Sequence, residues 1–102
     1  MPPRGASLGM RFTIRGEIWE WRGPAPYHFV TVPDGAAEQI QEVASGVTYG
    51  WGMIPVSVTI GRTTWTTSLW PKDGCYVVPL KDAVRAKEHL ELGDVIDVQL
   101  EI

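Results

Sequence analysis

The chain has 102 residues, of which 44% are hydrophobic and 21% are charged, so it can close one hydrophobic core without a disulfide or a structural metal. Its 9 basic and 12 acidic side chains give a formal charge of −3, which provides no bulk attraction to nucleic acid or to an anionic membrane. The composition therefore predicts one globular domain and argues against a strongly basic nucleic-acid binder.

Residues 1–10 lack the apolar core of a signal peptide, and no apolar run approaches the length of a membrane span. We expect a flexible N-terminal extension over 1–10, a single domain over 11–102, no membrane association and a cytoplasmic location. The single cysteine, Cys75, excludes an internal disulfide and fits a reducing compartment. Its place in a predicted strand favours a packed side chain over a reactive thiol.

Residues 11–21 alternate between two faces along their whole length, which predicts a long strand. Gly16 predicts a bulge or bend in that strand. Trp19 and Trp21 share the face opposite the aliphatic residues, so this face is expected to meet a helix or a second subunit. We therefore predict a homodimer.

A glycine and two prolines predict a loop over residues 22–26, and residues 27–32 then return as a second strand, antiparallel to the first. After this strand, Asp34 can cap a helix whose apolar residues recur at three-to-four spacing as far as Ala44. Such a helix carries only one narrow apolar stripe. It is therefore expected to lie against the sheet and cover one end of it.

β-branched residues predict a hairpin in the second half of the chain, with strands over 54–60 and 63–69 joined by a turn at residues 61–62. Residues 70–74 are predicted to form a loop that ends in a tight Asp-Gly turn. Residues 75–78 begin a further strand. The spacing of these segments shows no βαβ rhythm, which argues against a doubly wound parallel sheet.

The C-terminal stretch predicts a short helix followed by a turn and a last strand. Asp82 is the predicted N-cap of the helix, and residues 95–102 alternate cleanly as a strand. Gly93 and Asp94 are predicted to form a structural turn, because Gly93 accepts a positive φ and Asp94 can bond to nearby backbone N–H groups. The whole pattern predicts a mainly β fold, a small closed or double-split β-barrel of about six strands with two short helices and an apolar lumen.

Four short motifs indicate a resemblance to a known family: residues 29–33 (FVTVP), 55–61 (PVSVTIG), 79–81 (PLK) and 92–94 (LGD). In order and spacing they resemble DUF1905, a small bacterial family of domains of unknown function, over nearly everything after Met10. The resemblance implies a double-split or swapped-hairpin barrel, similar in architecture to the AbrB/MazE antitoxin class. Some members of the family look fused to a YdeI/OmpD-associated bacteriocin-protection segment, which we expect to be missing here. Trp70 departs from the family pattern, which has a smaller aromatic residue.

The 5 tryptophans of the chain suit either the core of a small barrel or a stacking pocket for a ligand. Packing in the core and at the rim is the favoured interpretation, and the pocket is kept as the functional one. On that second interpretation the candidate ligand-binding residues are Trp51, Trp65, Trp70, Tyr76 and Arg85.

Arg85 also has two interpretations. A bidentate ion pair with a carboxylate such as Asp94 would hold the short helix onto the last strand. Alternatively, the guanidinium would anchor an anion at the mouth of a pocket. The structural interpretation is favoured.

Catalytic and metal-binding patterns are missing from the sequence. His28, His89 and Cys75 have no metal-ligand spacing, and Ser57 and Ser68 lack the glycine pattern of a nucleophile elbow. We therefore predict no catalytic residues, no metal site and no cofactor.

The leading functional hypothesis is a non-enzymatic β-barrel module that binds a small ligand or a protein partner. The alternative is a DNA-binding, antitoxin-like regulator of the swapped-hairpin type, which the negative charge disfavours, and a hydrolase is the least favoured class. A DNA-binding regulator predicts a dimer with a basic stripe and salt-sensitive duplex affinity. The candidate stripe residues are Arg11, Arg15, Arg62, Lys81, Arg85 and Lys87.

Overall fold

The computed structural model of the chain describes residues 9–23, 27–44 and 52–102. Within these residues the chain forms six strands and two helices. In chain order they are β1 (Arg11–Trp21), β2 (Tyr27–Thr31), α1 (Asp34–Ala44), β3 (Ile54–Ile60), β4 (Thr63–Lys72), β5 (Cys75–Leu80), α2 (Asp82–Lys87) and β6 (Val95–Glu101).

The strands form a closed antiparallel barrel in the order β1-β2-β5-β4-β3-β6. β1 is long enough to serve two neighbours, since residues 11–17 pair with β6 and residues 18–21 pair with β2. The last strand of the chain lies between β1 and β3. The predicted fold class, a mainly β barrel of six strands with two helices, is confirmed.

Alternate residues of the strands point into the barrel and fill it with aliphatic side chains, as the period of two predicts. Burying each such side chain contributes about 1.5–3 kcal/mol, so this core is the main source of stability. Ala37 and Ile40 of α1 belong to the same cluster, and α1 packs against β5. The largest side chains that are fully buried are Ile18, Ile40, Ile54, Leu69, Leu100, Val30, Val32, Val58, Val78 and Val98.

Gly16 allows two strands to approach closely and does not form a bulge. The ladder between β1 and β6 runs through the pair of Gly16 and Ile96 without a break in register. A Cβ atom at Gly16 would lie 2.8 Å from Cγ1 of Val30 on β2. Of the two predicted alternatives the bulge is therefore wrong, while the bend stays a prediction. The glycine is needed because a side chain would meet Val30.

β4 and β5 are both longer than predicted. Residues 70–72 continue β4 as far as the tight turn, where Asp73 and Gly74 have φ angles of 52° and 81°. The proline of this segment, Pro71, is opposite Tyr76, and neither residue of that pair bonds across the ladder. The missing N–H of Pro71 therefore costs the β4–β5 ladder nothing, and the predicted loop is wrong.

The start of α2 also differs from prediction. Lys81 is the N-cap and makes no side-chain capping bond, while the Asp82 carboxylate bonds to Arg85. At the start of the chain, Met10 and Ile102 exchange two backbone hydrogen bonds of 3.2 and 2.9 Å, so the ladder reaches the last residue of the predicted extension. No helix among the described residues has both the length and the apolar character needed to cross a lipid bilayer.

Candidate functional site: an aromatic outer surface

The outside of the barrel has a polar half, formed by the first part of β1 together with β6 and β3. Arg15 Nη1 lies 2.9 Å from Asp97 Oδ1 across the β1–β6 ladder, and Arg11 Nε lies 3.8 Å from Glu101 Oε2. Exposed ion pairs of this kind contribute only about 0–1 kcal/mol each. They balance the charges of this half and keep it solvated.

The other half of the outside carries aromatic rings from three strands. We call this set the outer aromatic surface; its members are Trp19, Trp21, Tyr27, Phe29 and Trp70. Ring centroids are 5.2 Å apart for Trp19 and Phe29, for Tyr27 and Trp70, and for Phe29 and Trp70. Contacts between aromatic rings at such distances add about 0.5–1.5 kcal/mol each beyond the area they bury.

Phe29 is the centre of the outer aromatic surface. Its side chain points away from the lumen, yet it is only 3% exposed, because the rings of Trp19, Tyr27 and Trp70 surround it. The register explains one of these contacts, since Trp19 is directly opposite Phe29 in the β1–β2 ladder. A buried centre holds the surrounding rings in fixed positions.

Trp70 reaches Phe29 from a strand that is not adjacent to β2. β5 lies between the two strands, and there Val77 is opposite Trp70 while Pro79 is opposite Phe29. Both β5 residues have small side chains, so the indole of Trp70 can pass over them. The contact closes the outer aromatic surface across three strands.

Two members of the surface remain open to solvent. Trp21 is 43% exposed and Tyr27 is 41% exposed, and their rings stack with centroids 6.3 Å apart. The indole N–H of Trp19, by contrast, is already used, since Nε1 donates to Thr31 Oγ1 at 2.9 Å. The buried rings of the surface therefore have their partners within the domain. The exposed rings of Trp21 and Tyr27 are available to a binding partner.

A groove of about 360 Å³ begins at this exposed edge and runs toward the start of α2. One wall is apolar, with Tyr27, Trp70 and Pro79, and the other end carries Lys81 and Asp82. His28, Thr67 and Leu80 complete the lining.

A larger depression, of about 510 Å³, lies on the polar half beside the β3–β4 turn. Its two carboxylates already have partners. Glu88 accepts hydrogen bonds from Thr63 Oγ1 and the Arg62 N–H, and Asp97 pairs with Arg15. The aromatic half is therefore the better candidate for a binding surface.

The model of the family described as "Domain of unknown function (DUF1905)" matches residues 15–100. The chain belongs to this family. The match includes β2 to β5 entirely, most of β1 and β6, and all five residues of the outer aromatic surface. The predicted resemblance to DUF1905 is thus confirmed, while comparison with functionally curated proteins gives no match.

The DUF1905 domain does not bring the predicted ligand-binding residues together. Trp65 and Tyr76 face the inside of the barrel, where Tyr76 is only 8% exposed and Trp65 packs against the core. Trp70 lies on the outside, and Arg85 lies on α2. Trp51 is outside the described residues. Of this set, Trp70 alone is a member of the outer aromatic surface.

Arg85 and Asp94 have different partners from those predicted. Arg85 pairs with Asp82, one helical turn earlier, while Asp94 Oδ2 accepts the Glu91 N–H at 2.9 Å. Gly93 has a φ angle of 89°, the left-handed conformation that the reversal requires. The expected pair of Arg85 with Asp94 is therefore wrong, because the Asp94 carboxylate serves the turn itself.

Two buried nitrogen donors in the described part of the DUF1905 domain make no hydrogen bond. Within the described residues, Nε1 of Trp65 and Nε of Arg85 are buried and have no hydrogen-bond partner. The Arg85 side chain is 23% exposed overall and reaches its carboxylate through Nη2. The guanidinium is thus engaged at one end only.

Cys75 lies at the start of β5, half-buried, with its thiol directed at α1. Its Sγ donates to Asp34 Oδ1 at 3.1 Å. That hydrogen bond, followed by burial and by the negative charges of Asp34 and Asp73, raises the pKa of the Cys75 thiol. The thiol therefore keeps its proton at neutral pH. No group of three His, Cys, Asp or Glu side chains within residues 9–23, 27–44 and 52–102 is placed to hold a metal ion.

Sequence reasoning missed most of the outer aromatic surface. The alternation of β1 placed Trp19 and Trp21 on one face, but it did not connect them with Tyr27 and Phe29. The available signal was the β1–β2 hairpin, since pairing of these strands places aromatic residues opposite one another at two positions. The contribution of Trp70 had no such signal, because it depends on the order of strands around the barrel.

Proposed function

We propose that this DUF1905 domain is a non-enzymatic binding module, and that it holds a protein partner or a small ligand on its outer aromatic surface. The observation that carries the proposal is the exposure of Trp21 and Tyr27 at the edge of a fixed aromatic cluster. Exposed Trp and Tyr are enriched at binding sites because they bury large areas at low entropic cost. The aliphatic packing of the lumen supports an external site over an internal one.

The alternative of a DNA-binding regulator receives less support from the charges. Half of the candidate basic stripe is neutralised, because Arg11, Arg15 and Arg85 each lie beside a carboxylate. Phosphate contacts require cations that are free to replace condensed counterions. A basic surface without paired carboxylates would have favoured this alternative.

The proposal is tested with small aromatic probes, indole and phenol, which stand in for a flat ligand ring or an aromatic side chain of a partner. Two-dimensional NMR spectra of the labelled domain are recorded during titration with each probe. We expect the signals of Trp21, Tyr27 and Trp70 to shift together, while those of core residues stay in place.

Trp21→Ser removes one exposed ring and is expected to weaken probe binding by about tenfold, the effect of losing a large aromatic contact. Val95→Ser is the matched control, since Val95 is 53% exposed but lies outside the surface. Shifts confined to other regions, or equal affinities of the two variants, would overturn the proposal.

A second copy of the chain is one candidate partner, as the sequence predicts a homodimer. Sedimentation equilibrium distinguishes this case, because a dimer through the outer aromatic surface doubles the mass and Trp21→Ser returns it to the monomer. A monomeric wild type that still binds the probes leaves a different protein or a small ligand as the partner.

A further inference from the structure

The groove that begins at Tyr27 lies beside a short ladder. Between β4 and β5 the ladder joins only residues 70–72 to residues 75–77. Beyond those pairs, Thr67 of β4 and Pro79 of β5 both line the groove of about 360 Å³ described above. We call this site the β4–β5 groove.

The lining of the β4–β5 groove comes from both faces of the barrel wall. Trp70 and Pro79 face outward, where both adjoin the outer aromatic surface. Leu80 faces inward as a member of the core, and Thr67 shares that side of the wall because it is directly opposite the core residue Val56. The groove therefore enters the wall between two strands, and a bound ring would have protein on more than one side.

The apolar wall of the groove suits a flat ring. The rings of Tyr27 and Trp70 meet at 70° with centroids 5.2 Å apart, so they form a corner, and Tyr27 is 41% exposed. A planar ring placed there stacks on one aromatic face and meets the other edge-on, the two arrangements that aromatic pairs prefer. The groove volume of about 360 Å³ is near the lower end of the range for small-molecule sites, about 300–1,000 Å³. Its size therefore indicates a small ligand.

The opposite end of the groove has a positive charge. Two charged residues line it, and one of them, Asp82, is already paired with Arg85. Within residues 9–23, 27–44 and 52–102, the exposed side chain of Lys81 has no carboxylate within ion-pair distance. These two cations and one carboxylate leave a local charge of +1, although the whole chain has a formal charge of −3. The groove end thus favours an anion.

A carboxylate is the anion that this end fits best. The ammonium group of Lys81 is a compact point charge, and one such charge balances one carboxylate. A phosphate monoester has a charge of about −1.5 to −2 at neutral pH and gains most from several charged donors at once. Among the described residues that line the groove, Lys81 is the one unpaired cation.

We infer that the β4–β5 groove binds a small aromatic carboxylate, with the ring in the corner between Tyr27 and Trp70 and the carboxylate at the Lys81 ammonium group. The ring supplies most of the affinity, because an ion pair that is open to solvent contributes little. The ion pair supplies the preference for an acid over a neutral molecule of the same shape. This inference rests on the proposed function and names the class of its ligand.

The experiment compares indole-3-carboxylate with indole-3-carboxamide, which has the same shape and no charge. Each probe is titrated into the labelled domain at low salt and followed by two-dimensional NMR. We expect the carboxylate to shift the signals of Tyr27, Trp70 and Lys81 together and to bind about threefold to fivefold more tightly than the carboxamide, as an exposed ion pair allows. About 0.5 M sodium chloride should remove most of this preference by screening.

Lys81→Gln tests the cation without removing any part of the apolar wall. It should abolish the preference, so that carboxylate and carboxamide bind equally. Lys87→Gln is the matched control, since it removes the same charge from an exposed position of α2 that does not line the groove. This control should keep the full preference. Both positions are exposed, and such substitutions usually leave the fold intact.

The outcomes separate this inference from the proposed function. Equal affinities of the wild type for carboxylate and carboxamide overturn the inference, as does a preference that Lys81→Gln retains or that Lys87→Gln loses to the same extent. These results leave the proposed function untouched, because the binding of indole and phenol and its weakening in Trp21→Ser decide it separately. A domain that binds none of the probes overturns both.

Discussion

Glu88 Oε2 accepts a hydrogen bond of 2.6 Å from Thr63 Oγ1, and this contact fastens the end of α2 to the start of β4. The same oxygen lies 3.3 Å from the Arg62 backbone nitrogen. The carboxylate of one residue thus joins the helix that follows β5 to the turn between β3 and β4. Because the β4–β5 ladder is short, this link adds a second connection between β4 and the segment that follows β5.

Glu88→Ala is expected to destabilise the domain by about 1–2 kcal/mol, because a half-buried hydroxyl and a backbone N–H lose a charged acceptor. Urea denaturation followed by tryptophan fluorescence measures the change. Lys87→Ala is the matched control, since Lys87 is an exposed neighbour on α2. Equal midpoints for the two variants would show that the link contributes nothing.

Gly61→Ala is expected to be more harmful than a surface substitution for two reasons. Gly61 has a φ angle of 59°, and a methyl group there would overlap the Glu88 carboxylate. The backbone strain alone costs about 1–2 kcal/mol. In the Glu88→Ala background the overlap disappears and only the backbone strain remains. Gly61→Ala should therefore destabilise the Glu88→Ala variant less than it destabilises the wild type. An equal loss of stability in the two backgrounds would contradict the overlap between the methyl group and Glu88.

Gly16→Ala is expected to destabilise the barrel by about 1–3 kcal/mol, the usual cost of overpacking a core. The added methyl group meets Cγ1 of Val30, so the double variant Gly16→Ala/Val30→Ala should be more stable than the sum of the two single changes allows. A double-mutant cycle by urea denaturation gives the coupling, expected at about 0.5–3 kcal/mol. Simple additivity would show that β2 can move away from β1.

Cys75 is expected to react slowly with iodoacetamide, because its raised pKa keeps the thiolate scarce. Asp34→Asn removes a negative charge and replaces the carboxylate acceptor by a weaker amide oxygen, so it should shift the pH profile of alkylation toward lower pH. Asp73→Asn, which removes only the weakest of the causes, is the matched control and should shift the profile less. Identical profiles for wild type and Asp34→Asn would contradict the contact between Cys75 and Asp34.

The same pKa shift has a consequence for stability. The folded chain retains the Cys75 proton at pH values where the unfolded chain has lost it. The stability that the raised pKa contributes is therefore fully present below the ordinary thiol pKa. It is lost as the pH rises through the pKa of Cys75 in the folded state. Between wild type and Cys75→Ala, the difference in stability should change only in this alkaline range.

Much of the fold follows from local pattern. The alternation of residues 11–21 and 54–60 predicted two strands with the bounds that the structure shows, because one face of each strand is buried. The error at residues 70–72 has a physical cause, since the strand continues through Pro71. A proline is tolerated where its nitrogen faces away from the neighbouring strand, and only the register shows where that is.

The candidate site was less predictable than the fold. Trp70, the predicted residue that lies on the outer aromatic surface, meets Phe29 over an intervening strand, and no spacing in the sequence encodes that neighbourhood.

The position of β6 between β1 and β3 makes barrel closure a late event in synthesis. Arg15 and Asp97 are 82 positions apart in the chain, and the hydrogen bond between them forms only when both ends of the domain are available. Until β6 is in place, β1 and β3 lack their shared neighbour and keep unpaired strand edges. Contacts between such distant parts of a chain also form slowly, so the open form of this domain is the one that needs protection from aggregation.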